Sequence, residues 1–454
     1  MNTTIPHPAR LATSAAPRPT APTRRSTVLL AGGGHALEWF DWSIYATFSP
    51  FFAASFFPAD HVQPFLATMA VLAVGCLARP VGGYLFGRLS DRRGRAVSMR
   101  LTVLLLALGG LVIGLCPSWA VLGWGAPALL VLARIAQGTA YGGDQPATQA
   151  YLAEVAPVRR RGVFSSLVYL FGAVGTLAGM VTALALTVVL PTTTMHAWGW
   201  RVPFLLGGCG ALWVLVMRRR MPESPMFVPA ADAPVPAARP RLSDHRRPVA
   251  LVVGLCTGLA VATYFWVVAL PAYLIAERHV DAGTVLTATA VAQVALIVWL
   301  PVWGALSDRI GRRPVLAVGF LGSIAAAFPL SALVNADPGA LLLALVIALF
   351  FLAAPLSVAP AVMCELFPTH IRTLGSALPY AITVSVFGGC TPYLQAWLTG
   401  RYGSSAFTGF LVVCLLVSLI TVIPLPETRG RLLDEVPGPT GRACPETLPA
   451  LSRS

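Results

Sequence analysis

Glu38 and Asp41 stand three residues apart in a run that is otherwise nearly free of charge. With His35, Trp42 and Tyr45 they recur at helical spacing, so one helix face would present an imidazole, two carboxylates and a phenol. Two carboxylates so placed repel when both ionise, and one is expected to hold a proton near neutral pH. A proton-coupling group needs that property. The competing reading is a structural ion pair with Arg79 or Arg134 that only joins helices. Arg79 precedes Pro80 in the middle of the next apolar run. A guanidinium stays charged when buried and grips carboxylate with two parallel hydrogen bonds, which suits an anionic ligand. A salt bridge to Glu38 or Asp41 would use the same chemistry for structure. Arg134 sits inside the fourth apolar run and Asp144 at its end. The second half has no mid-run charge and offers aromatics instead, of which Tyr264 and Tyr380 are central. Tyr45, Tyr264 and Tyr380 are secondary ligand contacts on this reading; packing or an interfacial belt is the alternative.

The elements that position these groups follow from composition. Hydrophobic residues make up 56% of the 454 and charged residues 11%, roughly half the charge of an ordinary soluble protein. The chain is therefore read as an all-α integral membrane protein, where an ionisable side chain is costly and is a functional candidate by default. A span takes about 20 apolar residues. Twelve candidates result, at 27–57, 64–86, 97–115, 122–143, 163–190, 200–217, 248–275, 284–306, 314–334, 339–363, 374–398 and 405–425. The first is long enough to bend near Pro50.

The formal charge of +14 does not mean nucleic-acid binding. All 32 basic residues are arginine, and they gather in alternate loops. Loops 87–100, 154–162, 218–247, 307–313 and 365–373 hold five, three, seven, three and one. The other loops hold Arg278 and Arg401, with Arg201 at the mouth of a span. Positive charge is retained in the cytoplasm, which puts both termini there. Cysteines at 76, 116, 209, 256, 364, 390, 414 and 444 show no C-x-x-C spacing and read as small buried hydrophobes. Residues 1–26 read as a disordered cytosolic tail rather than a signal peptide. Halves at 27–217 and 248–426, a Pro/Ala/Arg-rich linker at 218–247 and a tail at 427–454 without heptads complete the division.

The halves repeat one another. Gly87-Arg-Leu-Ser-Asp91-Arg92-Arg-Gly94-Arg95 returns as Gly304-Ala-Leu-Ser-Asp308-Arg309-Ile-Gly311-Arg312. Glu154-x-x-Pro157-x-x-x-Arg161 returns as Glu365-x-x-Pro368-x-x-x-Arg372, and Met221-Pro222-Glu223-Ser224 as Leu425-Pro426-Glu427-Thr428. Two equivalent six-span halves imply a pseudo-twofold axis along the membrane normal, with a ligand site near the midplane between them. The nonapeptides read as a gate: Asp91 meets the positive end of a helix from the other half, and Arg92 or Arg95 pairs with Asp144 or Glu154. A turn that only positions two spans is the plainer reading.

The repeated nonapeptide resembles the G-x-x-[SA]-D-R-x-G-R signature of the major facilitator superfamily. Arg134-Ile-Ala-Gln137-Gly138 resembles its R-x-x-Q-G motif, whose arginine the family links to proton transfer. Gly34-His35-Ala-Leu-Glu38-Trp39-Phe40-Asp41, Trp200-Arg201-Val-Pro203-Phe204 and Phe387-Gly-Gly-x-x-Pro392 are similar to stretches of one branch, the metabolite:proton symporters. The runs Arg79 to Arg88 and Gly123 to Arg134 look like those of its 2-oxoglutarate-carrying members. Three departures stand out: His35 replaces the usual Asn, Phe40 a frequent Tyr, and Asp144 the usual Glu.

The resemblance implies a monomeric symporter without metal or cofactor in a bacterial cytoplasmic membrane, importing a small carboxylate such as 2-oxoglutarate with protons. Arg79, and Arg134 with it, would bind the anion, while Glu38 or Asp41 would carry the proton beside His35. The gate would comprise Gly87, Asp91, Arg92, Gly94, Arg95, Asp144, Glu154, Arg161, Gly304, Asp308, Arg309, Gly311, Arg312, Glu365 and Arg372. A carrier of zwitterions such as proline or betaine, with Trp42, Tyr45 and Trp266 as an aromatic cage, a carrier of aromatic acids and a drug exporter are the alternatives. A membrane enzyme is disfavoured because no nucleophile–base set, phosphate loop or metal-ligand cluster stands outside these motifs. A sensor would need a sizeable extramembrane domain.

Overall fold

The computed structural model describes residues 24–57, 64–224, 242–276, 278–334, 337–431 and 433. Most of the tails read at 1–26 and 427–454, and most of the 218–247 linker, lie outside the described residues. The described chain is built from twelve long helices with no strand. They are α1 (Arg24–Phe56), α2 (Pro64–Arg93), α3 (Arg95–Leu115), α4 (Gly125–Val155), α5 (Arg161–Val189) and α6 (Arg201–Arg218). In the second half α7 joins Arg246–Tyr264 through a π-turn, Phe265–Ala269, to Leu270–Ala276. Then come α8 (Ala282–Ile310), α9 (Arg312–Leu333) and α10 (Pro338–Glu365). Helix α11 runs Arg372–Thr383, a π-turn at Val384–Gly388, and Gly389–Tyr402, followed by α12 (Ser404–Val422).

Ten helices among the described residues are long and apolar enough to cross a membrane. The other two long helices, α1 and α4, are those that carry Glu38, Asp41, Arg134 and Asp144. Their polarity is turned inward: all four residues are buried. The apolar side faces out elsewhere, as at Leu184, Val188 and Ile420, each more than half exposed. The share of buried positions separates core from rim: 78% for the window in α7 and 67% in α10, against 33% in α9.

Several helices outrun their apolar windows. The nonapeptide was read as a turn, but Gly87–Arg93 is the last stretch of α2 and Gly304–Ile310 the last of α8. The turn proper is one residue, Gly94 (φ 105) or Gly311 (φ 108). An apolarity scan sees only the hydrocarbon-spanning part, while the helices project beyond it. Positive φ at both positions requires glycine, since a Cβ there would be strained. The carboxylates of Glu223 and Glu427 also close over these glycines. The first helix continues through Pro50 without interruption.

Within the first half α2 packs on α4, α1 on α5, and α3 on α4 and α6. In the second, α10 packs on α8 and α9, and α12 on α7 and α9. The halves meet mainly along α2–α11 and α5–α8, with α5–α10 and α4–α11 beside them. The first two are the same contact related by the pseudo-twofold axis. Glycine permits the closest approach: a Cβ on Gly138 would run into the Gly75 carbonyl, and one on Gly142 into that of Arg79. Gly138→Val is therefore expected to cost about 1–3 kcal/mol by overpacking. The reading is the melting temperature in detergent, with Gly400→Val, whose surroundings are open, as the control that should not shift.

Candidate functional site

The inner face of α1 is split between two partners. Asp41 accepts from Arg134 Nη1 (2.9 Å), from Gln137 Nε2 (2.9 Å) and from the Tyr141 hydroxyl. All three donors lie on α4, so Asp41 is saturated and locks α1 to α4. Among the described residues the hydrogen-bond partner of Glu38 is His35, whose Nδ1 lies 3.2 Å from Oε2. Trp39 Nε1 donates to His35 Nε2 over 3.1 Å. An indole N–H can only donate, so Nε2 must be unprotonated and Nδ1 carries the hydrogen aimed at Glu38. His35 is thus held as the neutral Nδ1–H tautomer.

Asp144 was placed with the gate by its position near the end of the fourth apolar run. It lies elsewhere. Helix α4 continues to Val155, about three turns further on. Asp144 faces inward, 2.9 Å from Arg218 Nη1 and 2.7 Å from the Thr102 hydroxyl that donates to it. One of its carboxylate oxygens belongs to a buried group in which single polar atoms of His35, Glu38 and Asp144 lie within 4.8 Å of one another. Arg218 also holds the carbonyls of Leu30, Ala31 and Met99, tying α6 to α1 and α3.

Arg79 stands apart. It makes no ion pair among the described residues; its Nη1 donates to the Tyr264 hydroxyl across the halves (3.0 Å), and its Nε has no partner. The guanidinium lies 5.8 Å from the Trp42 ring centroid and 5.6 Å from that of Tyr141. Tyr380, beyond it on α11, shares hydrogen bonds with Gln145 (2.9 Å from Nε2) and Tyr169 (3.3 Å). Tyr264 directly precedes the π-turn of α7, and Tyr380 lies one turn before that of α11. Such turns interrupt regular helix bonding and are frequent where helices carry function. Tyr45 does not join this group. Its hydroxyl donates to the Thr68 carbonyl (3.0 Å), its ring lies under Arg134 at 3.7 Å, and it packs against Phe52 and Phe204.

At the arginine-rich end the two repeats interlock. Asp91 accepts from the backbone N–H groups of Thr373 and Leu374, capping the start of α11. Asp308 does the same for α5 through Gly162 and Val163. Each carboxylate meets the positive end of a helix from the other half. Glu154 bridges Arg95 (3.0 Å) and Arg372 (2.7 Å); Glu365 bridges Arg161 (2.9 Å) and Arg312 (3.4 Å). So Arg95 takes Glu154 and not Asp144, while Arg92 is exposed and Arg309 is not among the bridging arginines. Ser224 and Thr428 donate to the outer oxygens of Glu154 and Glu365. Glu223 receives the N–H groups of Arg95 and Ala96, and Glu427 those of Arg312 and Arg313. Burial opposes ionisation of Glu427, but the N–H groups of Arg312, Arg429 and Arg313 and the charge of Arg312 outweigh it and hold its carboxyl below the usual glutamate range.

Sequence reasoning did not assign Arg218, Gln145, Tyr141 or Tyr169 a role. Arg218 counted only as a loop arginine, and the other three are uncharged residues on already crowded helices. Glu223 and Glu427 carried a signal: the Pro-Glu-Ser and Pro-Glu-Thr repeat marks the same job in both halves.

The chain matches the family described as Sugar (and other) transporter over residues 27–239 and 237–438. Alpha-ketoglutarate permease of Escherichia coli K12 is 35% identical over 414 residues, 88% of this chain and 94% of the permease. The proline/betaine transporter of Salmonella typhimurium LT2 is 31% identical over 428 residues, 90% of this chain and 85% of that one. In three dimensions the chain is similar to the proton:xylose symporter XylE bound to 6-bromo-6-deoxy-D-glucose, with a TM-score of 0.76 at 19% identity. That match covers 91% of this chain and 98% of the symporter. A likeness at this identity speaks for the fold alone. With both halves matched and relatives above 30% identical along most of its length, this chain belongs to the sugar (and other) transporter family of the major facilitator superfamily, a family of multi-pass membrane transporters and not of enzymes.

Proposed function

We propose that this protein is a proton-coupled symporter importing a small carboxylate, such as 2-oxoglutarate or a related dicarboxylate, across the bacterial cytoplasmic membrane by alternating access. Its arginine-rich face, with both termini, is the cytosolic one. The interlocked repeats then close the cytosolic side in the state described above, and must part for release inward.

The observation that carries this reading is an inventory of charge. The middle of the first half contains Glu38, Asp41 and Asp144 against Arg79, Arg134 and Arg218. Asp41 is paired with Arg134, and Asp144 with Arg218. Glu38 and Arg79 are left, each within the other's electrostatic reach but not in contact. An uncompensated charge is costly in this setting. When a carboxylate docks on Arg79, Glu38 loses its balancing charge and takes a proton. When the carboxylate leaves, the proton leaves too. Binding of anion and proton are thereby linked through one shared cation. The arrangement supports Glu38 as the proton carrier, with Asp41 holding α1 on α4.

Trp42, Tyr45 and Trp266 do not make a cage for an ammonium group. Trp42 borders Arg79, Tyr45 lies beneath Arg134, and Trp266 packs on Phe265 in the second half. This favours an anion over a zwitterion.

The test is uptake of labelled 2-oxoglutarate into proteoliposomes under an imposed inward proton gradient, wild type beside Arg79→Ala. Gradient-dependent uptake is expected, with KM raised roughly 10–100-fold in the variant, since a charged hydrogen bond contributes about 1.5–3 kcal/mol. Gradient-driven uptake of betaine or an aromatic acid instead would remove the proposed substrate class and keep the symporter.

A further inference from the structure

We propose that the substrate is accepted as a monoanion, with one carboxylate on Arg79 and an uncharged, hydrogen-bonding far end on Tyr380, Tyr169 and Gln145. This rests on carboxylate–proton symport. It adds the charge the site can take and the residues that read the end away from Arg79.

The same inventory sets the limit. Of the mid-bundle cations, Arg134 and Arg218 are committed to Asp41 and Asp144. His35 is neutral in its tautomer and has both ring nitrogens engaged. The remaining buried arginines, at positions 95, 161, 312 and 372, are bound in the gate. Among the described residues one mid-bundle cation, Arg79, is therefore available to a ligand, and one proton on Glu38 frees it. A dianion bound there would leave one buried negative charge without a partner, which is the expensive outcome in a membrane interior.

The groups around Arg79 fit a neutral second end. Tyr264 and Tyr380 both lie within electrostatic reach of Arg79, and Tyr169 and Gln145 complete a hydrogen-bonded set with Tyr380. Phenols and an amide can each donate or accept, so they match a carboxylic acid, an amide or a hydroxyl equally well. They offer no positive charge to a second carboxylate. Because α4 and α5 meet α11 here, a ligand displacing the Gln145–Tyr380 bond would also act on the contact between the halves. The other groups facing Glu38 are Trp39 on its own helix, through His35, Asp144 on α4 and Arg79 on α2. None supplies a second cation free of a carboxylate.

In charge terms, monoanion plus one proton moves nothing across the membrane. A dicarboxylate entering with one carboxyl protonated, plus the proton on Glu38, is equally silent. Proteoliposomes clamped with potassium and valinomycin at a fixed pH gradient test this. Initial uptake of labelled 2-oxoglutarate is expected to be unchanged by potentials of either sign; acceleration by an inside-positive potential overturns the proposal by showing transport of net negative charge. Competition supplies a second readout. Above the second carboxyl pKa, about 4–5, the potency of 2-oxoglutarate relative to its 5-monoamide should fall about tenfold per pH unit, following the monoanion fraction. A constant ratio overturns the proposal. Loss of pH-gradient-driven uptake for every carboxylate tested would remove the symport reading itself, and this inference with it.

Discussion

Glu38→Gln is expected to abolish gradient-driven accumulation while leaving exchange of labelled for unlabelled substrate across the membrane. A glutamine is a permanent stand-in for the protonated acid. It keeps the shape of the side chain and can accept the His35 Nδ1–H, which holds the imidazole where it is. The variant therefore stays in the anion-accepting condition, with Arg79 free of a competing charge. Exchange needs only the loaded carrier to reorient, so it continues, with no pH dependence beyond that of the substrate's own ionisation. Net uptake needs the empty carrier to return after losing its proton, and a glutamine has none to lose. Accumulation ratio under a proton gradient and exchange at zero gradient are both read in proteoliposomes. Asp41→Asn is the contrast. It removes the partner of Arg134 (2.9 Å) and weakens the acceptor of Gln137 and Tyr141, so it should lower protein stability and both modes of transport together. If Asp41→Asn alone gave exchange without accumulation, the assignment of the proton to Glu38 would be wrong.

These contrasts show where the sequence was legible and where it was not. Repeated motifs and apolar periodicity are local properties, and they carried the helix count and the repeat. Asp91 was expected at a helix end of the opposite half, and its repeat partner Asp308 meets one in the same way. The pairing of mid-bundle charges is a property of packing. Spacing along α1 put Glu38 and Asp41 on one face but did not say which of them α4 would claim. That choice depends on how far glycines such as Gly138 and Gly142 let α4 approach α2, which sets the height at which Arg134, Gln137 and Tyr141 meet α1. Asp144 was misplaced for a related reason: the visible edge of an apolar window is not the end of a helix that projects beyond the bilayer. Arg218 could not be distinguished from neighbouring loop arginines without knowing that three carbonyls and a carboxylate converge on it. Tyr45 shows the converse error, since a mid-span phenol on the right face turned out to be committed to Thr68 and Arg134.

The second large effect is expected at the gate. Glu154→Gln should open the arginine-rich side more than any other single change to a side chain there. Glu154 Oε1 holds Arg95 of its own half and Arg372 of the other at 3.0 and 2.7 Å, while the equivalent Glu365 holds its pair at 2.9 and 3.4 Å. The Glu154 knot is the tighter one, and all three of its members are buried. Removing its charge leaves Arg372 without its carboxylate and Arg95 with Asp91 alone, at 3.4 Å. Breaking one partner of a buried pair costs about 3–5 kcal/mol, a shift of at least about 100-fold toward the open state. Arg95 keeps the Ser90 carbonyl and Arg372 those of Cys364 and Leu433, each within its own half, so the halves should part, breaking the Arg95–Thr369 bond between them, without either unfolding. Cys364 is a native reporter, since it is fully buried beside Glu365 and its carbonyl holds Arg372. In a background where the other cysteines are serine, an impermeant maleimide offered to the arginine-rich face should label Cys364 far faster in Glu154→Gln than in wild type. Glu365→Gln should give a smaller increase and the double variant a larger one. Equal, slow labelling in all four proteins would mean that apolar packing along α2–α11 and α5–α8 keeps the face shut, and that the charged repeats only decorate it.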